Sequence, residues 1–441
     1  MKQFLQTNFK KLLFLIVGLT IIVDYFIFRR KAIGVEVGSR IEMFFLGALL
    51  LIGIGTIIVV LITLIGLVIN KDRKSKKKKL GNQMVFVLII IVLLASFVFG
   101  SQLTAHTPKI LGDDGQPKPG SIATMEKVRL GGVDQWVIIR AHDVNKPVLI
   151  LLSGGPGGSE AARFIRFNAA LEKHFVVVIW EQRGCGKSYP SINPKSAMTV
   201  DQYTSDLLEL TNLMLERFDE EKIYVLGHSW GSIIGVNTVQ QRPDLFHAYI
   251  GTAQMVDVQE TDQKIYDLVM EHARQTGDTQ FVRTLERMGE PPYFGKSPIK
   301  PYSTLFGREY SVFEYPNIKN EAYRKDGDIL LLMLKQPEYG WLDRVYYLLG
   351  LMNTFNIVYP QLQARDFRMD GINFEVPVYM MLGRNDMNNP YQIPEEYFEM
   401  IDAPQKQLYF FEESGHGMIW EEADLFHDLM INTILPETYQ H

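Results

Sequence analysis

The segment Val225-Leu226-Gly227-His228-Ser229-Trp230-Gly231-Ser232 sets a serine between two glycines, after an apolar run at 222–226 and before a helix-like stretch at 233–241. A strand that turns tightly into a helix at Gly-x-Ser-x-Gly holds the serine in a strained conformation, and the flanking glycines leave room for the turn. The chemistry open to such a serine is attack on a carbonyl carbon. A serine hydroxyl is a poor nucleophile at neutral pH. A base, an acid that orients it and donors for the developing oxyanion must therefore come from elsewhere in the chain. The pentapeptide alone is a weak signal.

Those parts occur at the ends of other strand-like runs. The apolar run 147–152 leads into Ser153-Gly154-Gly155-Pro156-Gly157-Gly158, the run 377–382 into Gly383-Arg384-Asn385-Asp386, and the run 407–411 into Glu412-Glu413-Ser414-Gly415-His416. The order Ser229, Asp386, His416 is that of the α/β-hydrolase arrangement. His416 would take the serine proton and return it to the leaving group, and Asp386 would hold the imidazole tautomer. The backbone N–H groups of Trp230 and of the Gly154-Gly155 loop would serve the oxyanion. Each part also has a plain reading, Asp386 as a turn aspartate and His416 as a neighbour of a helix N-cap. Four of them at four strand ends, in the right order, favour the catalytic reading. His228 would point away from the serine hydroxyl and is read as structural. Cys185 as a thiol nucleophile is the weaker alternative. Neither His-x-x-x-His nor paired cysteines occur, so no metal site and no cofactor are expected.

The elements that would position these groups are also legible. Segments 125–130 and 135–141, joined at Gly131-Gly132, read as a hairpin. Continuous apolar runs at 147–152, 175–180 and 222–226 read as strands buried on both faces, each ending in a glycine-bearing loop. Further strands are expected at 248–252, 377–382 and 407–411, and a last helix at 422–435. Alternation of strands and helices implies α/β architecture, a mainly parallel sheet with its site at the strand C-termini. Residues 256–369 are helical and aromatic-rich without a sheet signal, and read as a helical cap inserted into a core of 125–255 and 370–441.

The N-terminal 104 residues are of another kind. Apolar runs at about 12–28, 43–69 and 84–103 approach or exceed the roughly 20 residues that cross about 30 Å of hydrocarbon, so three transmembrane helices are expected. A cleaved signal peptide is disfavoured for the first run, because no small-residue cleavage site follows it and Arg29-Arg30-Lys31 does. Asp24 lies near the end of its span and is expected to snorkel to the interface. The loop 71–79 carries seven basic residues against Asp72, the loop 29–42 four. This asymmetry places the N-terminus in the cytoplasm and the chain after about Ser101 outside. A linker rich in Pro and Gly follows at 105–124.

Charge divides the same way. Residues 1–104 hold 14 Lys and Arg against 4 Asp and Glu, the remainder 31 against 46. An acidic body behind a basic membrane region argues against nucleic-acid binding and leaves the lipid bilayer as the expected partner. Cys185 is the one cysteine, which excludes an intrachain disulfide.

Gly-Gly-Pro-Gly-Gly at 154–158, Gln-Arg-Gly-Cys-Gly-Lys-Ser at 182–188 and Gly-His-Ser-Trp-Gly-Ser at 227–232 resemble the proline iminopeptidases and related serine aminopeptidases of the α/β-hydrolase superfamily. The resemblance is close over 148–232 and extends to strand-end motifs over 377–416. It implies Ser229, Asp386 and His416 as the triad and Gly154 with Trp230 as oxyanion donors. It also implies that acidic cap residues hold the substrate's free amino group, with Glu260, Glu271, Glu286, Glu314 and Glu321 as candidates. Two positions depart from the family pattern: Ser153 stands where His precedes Gly-Gly-Pro, and Glu181 where Asp precedes Gln-Arg-Gly. The expected protein is a membrane-anchored serine hydrolase acting on short peptides or small acyl substrates. An esterase or lipase on the same scaffold, and a non-catalytic sensor or assembly protein, are the alternatives.

Overall fold

The computed structural model describes residues 2–69 and 73–439 and divides into two compact units. The first holds three N-terminal helices, α1 (Lys2–Val23), α2 (Val35–Ile69) and α3 (Arg73–Leu103), together with the segment Met333–Arg344. A π-helix at Asp24–Arg29 continues α1. Three stretches, Phe9–Arg29, Val35–Ile69 and Lys74–Leu103, are long and apolar enough to cross a membrane. Phe44, Leu51, Ile62 and Val68 of α2 all point outward. Each such side chain facing water rather than a nonpolar medium would cost about 1.5–3 kcal/mol, which accounts for a multi-pass membrane placement. Asp24 is half-buried and pairs with Arg29 at 2.5 Å.

The helices reach beyond the apolar runs. Lys74 to Lys79, expected in a loop, form the first turns of α3, because lysine is a good helix former and the helix continues past its apolar part. Lys71 and Asp72 of that basic run lie outside the described residues. The 29–42 loop likewise shortens, since α2 begins at Val35. At this end the unit buries a carboxylate that the sequence did not single out. Glu42 accepts from Arg30 Nε at 2.8 Å, Tyr25 at 3.2 Å and Trp341 Nε1 at 3.0 Å, with Arg344 at 3.4 Å.

The second unit is built on an eight-stranded sheet in the order β1-β2-β4-β3-β5-β6-β7-β8. Strands β1 (Ile122–Leu130) and β2 (Val133–Ala141) form the expected hairpin, and β2 runs antiparallel to β4 (Val176–Glu181). From β4 onward, β3 (Val148–Leu152), β5 (Ile223–His228), β6 (Phe246–Thr252), β7 (Val378–Gly383) and β8 (Lys406–Phe411) are parallel. The uninterrupted apolar runs follow from burial on both faces. Val148, Ile150 and Leu152 pack into one core and Leu149 and Leu151 into the other. Helices α4 (Ala161–Phe167), α5 (Val200–Phe218) and α6 (Trp230–Gln241) cover the sheet. Thr199 caps α5 by accepting from the Gln202 N–H at 3.2 Å.

Between β6 and β7 the chain forms capping helices, among them α7 (Val258–Gln275), α8 (Thr279–Met288), α9 (Ile299–Glu309), α10 (Glu321–Asp326), α11 (Ile329–Lys335) and α12 (Trp341–Val358). Register pairs Leu152 with Gly227, Gly227 with Gly251, Thr252 with Met381 and Gly383 with Phe411. The C-terminal ends of β3, β5, β7 and β8 therefore finish level, and their loops meet.

Candidate active site

Ser229 sits at the junction of β5 and α6 with φ 52° and ψ −122°, a region that costs a non-glycine residue of order 1–3 kcal/mol. The surroundings enforce it. Its N–H donates to the Thr252 carbonyl at 3.0 Å, and its carbonyl accepts the Ser232 N–H at 2.8 Å. Trp230 opens α6, so its backbone N–H is one of the first-turn donors without an intrahelical partner. Its indole is locked by donation to Gln182 Oε1 at 2.9 Å and an edge-on contact with Tyr203. Gly154 comes close from the end of β3. A methyl built on it would stand 3.2 Å from Ser229 Cβ and 3.3 Å from Glu160 Oε1.

His416 Nδ1 lies 3.0 Å from Asp386 Oδ2 and 3.2 Å from Oδ1. Asp386 is buried, and its Oδ1 accepts the Asn389 N–H at 2.7 Å. Burial alone would lower the His416 pKa. The charge and hydrogen bond of Asp386, aided by the charges of Glu314 and Glu160, outweigh it and raise the ring to about 9. Ser229, His416, Gly154 and Gly155 open on one cavity of about 260 Å³, roofed by Ile299 and Phe306 of α9 and Leu351 and Phe355 of α12.

The two departures from the family pattern carry backbone. Ser153 Oγ accepts the Glu160 N–H at 3.3 Å, while the Ser153 carbonyl accepts from Gln182 Nε2 at 3.1 Å. Glu181 accepts from the Ser159 hydroxyl and, at 2.9 Å, from the Lys187 N–H, tying one glycine-rich loop to the next. Cys185 is buried beside the Gly158 carbonyl, and burial pushes its thiol well above the usual range, away from nucleophilic thiolate.

Two further groups lie near Ser229. His228 is buried, as a structural residue should be, with Nδ1 at 3.0 Å from Thr252 Oγ1. Its ring nevertheless packs 5.2 Å from that of His416, and its Nε2 lies 3.4 Å from Glu160. Burial holds it well below the usual histidine range, so it is neutral. Glu160 was not singled out at all. It is the one carboxylate lining the cavity among the described residues. Burial drives it up to about 7, against the charges of Arg163 and His416 and the Gly154 amide. Its position six residues after Gly154 in the same loop was the available clue, but spacing through an irregular loop does not say where a side chain points.

Of the five cap glutamates only Glu314 is brought to the site, and it touches backbone there rather than the cavity. Glu260 is spent on Arg368 at 2.8 Å and Lys264 at 3.2 Å. Glu271 accepts from Gln275 on the surface of α7, and Glu286 and Glu321 are exposed.

This fold and cavity define a class. Residues 147–423, more than half of the chain, match the family described as alpha/beta hydrolase fold, and the chain belongs to that family. It is homologous to iminopeptidase-like enzymes within the serine-hydrolase superfamily. A Bacillus subtilis protein named a probable aminopeptidase is 31% identical over 314 residues, 70% of this chain and 96% of the relative. A proline iminopeptidase of Saccharolobus solfataricus is 26% identical over 63% of this chain and 81% of its own length. The crystal structure of a proline iminopeptidase-related protein from Thermus thermophilus shares the fold, with TM-score 0.51, 18% identity and coverage of 72% of this chain and 98% of that one.

Proposed function

We propose that this protein is a membrane-anchored serine hydrolase in which Ser229 forms an acyl-enzyme, with removal of N-terminal residues from short peptides as its reaction. The observation that carries the reading is the joint opening of Ser229, at positive φ, and His416, paired with Asp386, onto one cavity. In the proposed course Ser229 Oγ attacks the scissile carbonyl carbon and its proton passes to His416 Nε2. The Nδ1–H donates to Asp386 throughout. The carbonyl oxygen gains negative charge and accepts from the N–H groups of Trp230 and of the Gly154-Gly155 loop, which gain most when the charge is fully developed. His416 then protonates the leaving amine, and water repeats the sequence in reverse on the acyl-enzyme.

The peptide preference draws on the relatives named aminopeptidase and iminopeptidase, and on Glu160 as a carboxylate able to meet a free amino group in the cavity. An ester substrate is the second reading. It is favoured by a cavity wall that holds none of the five cap glutamates and includes Met255, Ile299, Phe306, Leu351 and Phe355 beside Tyr359 and Asn388. A panel of aminoacyl arylamides against acyl esters decides between them: turnover of the esters alone rejects the peptidase reading. Fluorophosphonate labelling that survives Ser229→Ala rejects the serine mechanism and leaves the non-catalytic alternative.

For orientation, the basic stretch that opens α3 supports a cytoplasmic N-terminus and an outward hydrolase unit. Protease added to intact cells should then cut after residue 104. Cleavage only in inverted vesicles reverses the assignment.

A further inference from the structure

Glu314 closes a short π-helix, Tyr310–Glu314, that continues α9 in the cap, and it is 1% exposed. Its Oε1 accepts the N–H groups of Met387 and Asn388, each at 3.3 Å, and its Oε2 accepts that of His416 at 3.0 Å. The first two follow Asp386 directly and the third belongs to His416 itself. One carboxylate from the cap therefore bridges the two loops that carry the acid and the base. The approach is close: a methyl on Gly415 would stand 2.6 Å from Glu314 Oε2. All three N–H groups are half-buried, and an anion is the acceptor that serves all three best.

We infer that Glu314 is a positioning residue: it sets the Asp386–His416 geometry from the cap, so that the dyad is assembled only while the cap is seated. This rests on the serine-hydrolase reading above. The groups facing Glu314 fit the role. Glu309, fully buried on the preceding turn, is pushed up to about 11 by burial and by the charges of Glu314 and Asp386, and so is neutral. Glu421 accepts the Gly415 N–H at 2.8 Å and is raised to about 8 by burial and by Glu314. Burial and the Asp386 charge raise Glu314 itself to about 7, while His416 and its amide favour the anion. Protonation of Glu309 and Glu421 thus limits the repulsion that a Glu314 anion meets beside the His416 loop.

The test compares Glu314→Gln and Glu314→Asp with wild type, in the full chain in detergent, by the rate constant of fluorophosphonate labelling of Ser229 as a function of pH. Glutamine sets an N–H group against at least one of the three amides and removes the charge. The plateau rate should fall about 100-fold. The acid limb should also move to lower pH by about one unit, because the anion that helps hold His416 protonated is gone. Aspartate keeps the charge but withdraws the oxygens by one methylene, so its plateau should fall while its limb stays near wild type. A variant that is merely less stable loses labelled protein without moving a limb. A folded Glu314→Gln with wild-type rate and limb overturns the proposal. If that variant does not fold, wild-type labelling by Glu314→Asp overturns it equally. Labelling of Ser229→Ala with Glu314 intact is a different failure, that of the serine reading itself.

Discussion

The core wall of the Ser229 cavity comes from loops at the ends of β3, β5, β6, β7 and β8, whereas the opposite wall comes from α9, α12 and the turn after it in the cap. The core wall is polar, rich in glycine and held by backbone hydrogen bonds, with Ser229 itself in a strained turn. The cap wall is apolar and held by packing, as in the stack of Phe355 on Tyr359 at 4.3 Å. The contrast separates two tasks. Aiming a nucleophile, a base and two N–H donors to within a fraction of an ångström needs backbone that cannot relax. Choosing what enters needs only shape and polarity, which side chains on helices supply and can change cheaply. Glu314 crosses the divide, since it arrives with the cap and acts on the core loops.

Substitutions that probe this division should rank accordingly. On the core side Ser229→Ala removes the nucleophile and should lower turnover by about 10⁶-fold, measured with the best substrate from the panel. Asp386→Asn should cost about 10⁴-fold, because His416 loses both its tautomer and its partner. It should also alter the pH profile. His416 has to be neutral to accept the proton, so with its pKa near 9 the wild-type rate should climb as pH rises towards that value. Without the Asp386 charge the climb should shift to lower pH. On the cap side Leu351→Ala enlarges the cavity, and should change the preference between small and bulky acyl groups by about 10-fold while sparing Ser229 labelling. The smallest effect is expected for Cys185→Ala. Its thiol is neutral and faces the Gly158 carbonyl, so the labelling rate should stay at the wild-type value. A cap substitution that matched Asp386→Asn, or a core substitution that shifted only preference, would break the division.

Legibility in the sequence followed the same boundary. The strands, the elbow and the loops bearing Gly154, Asp386 and His416 could be read because each is a local signal, an apolar run followed at once by glycine and a polar residue. The two membrane-unit loops were read too long, since lysine-rich turns continue a helix as readily as they end one. The cap glutamates defeated sequence reading. Glu260 and Glu314 are both acidic residues on helical segments, yet one binds Arg368 near the surface and the other is buried against the His416 loop. Glu160 and Glu42 were missed for the same reason: neither has a neighbour in sequence that announces its partner.

What the sequence determined by itself is therefore the hydrolase scaffold, the strand ends that carry Ser229, Asp386 and His416, and the three apolar helices. All of these rest on contacts between near neighbours or on the period of a pattern. Which carboxylate faces the cavity, which one accepts the amides of Met387, Asn388 and His416 and which one is buried among Arg30, Trp341 and Arg344 was decided only by tertiary structure. Glu314 and His416 are 102 positions apart, and Glu42 and Arg344 are 302 apart. A buried carboxylate goes wherever the fold offers N–H groups enough to hold it, and that supply exists only once the elements have packed.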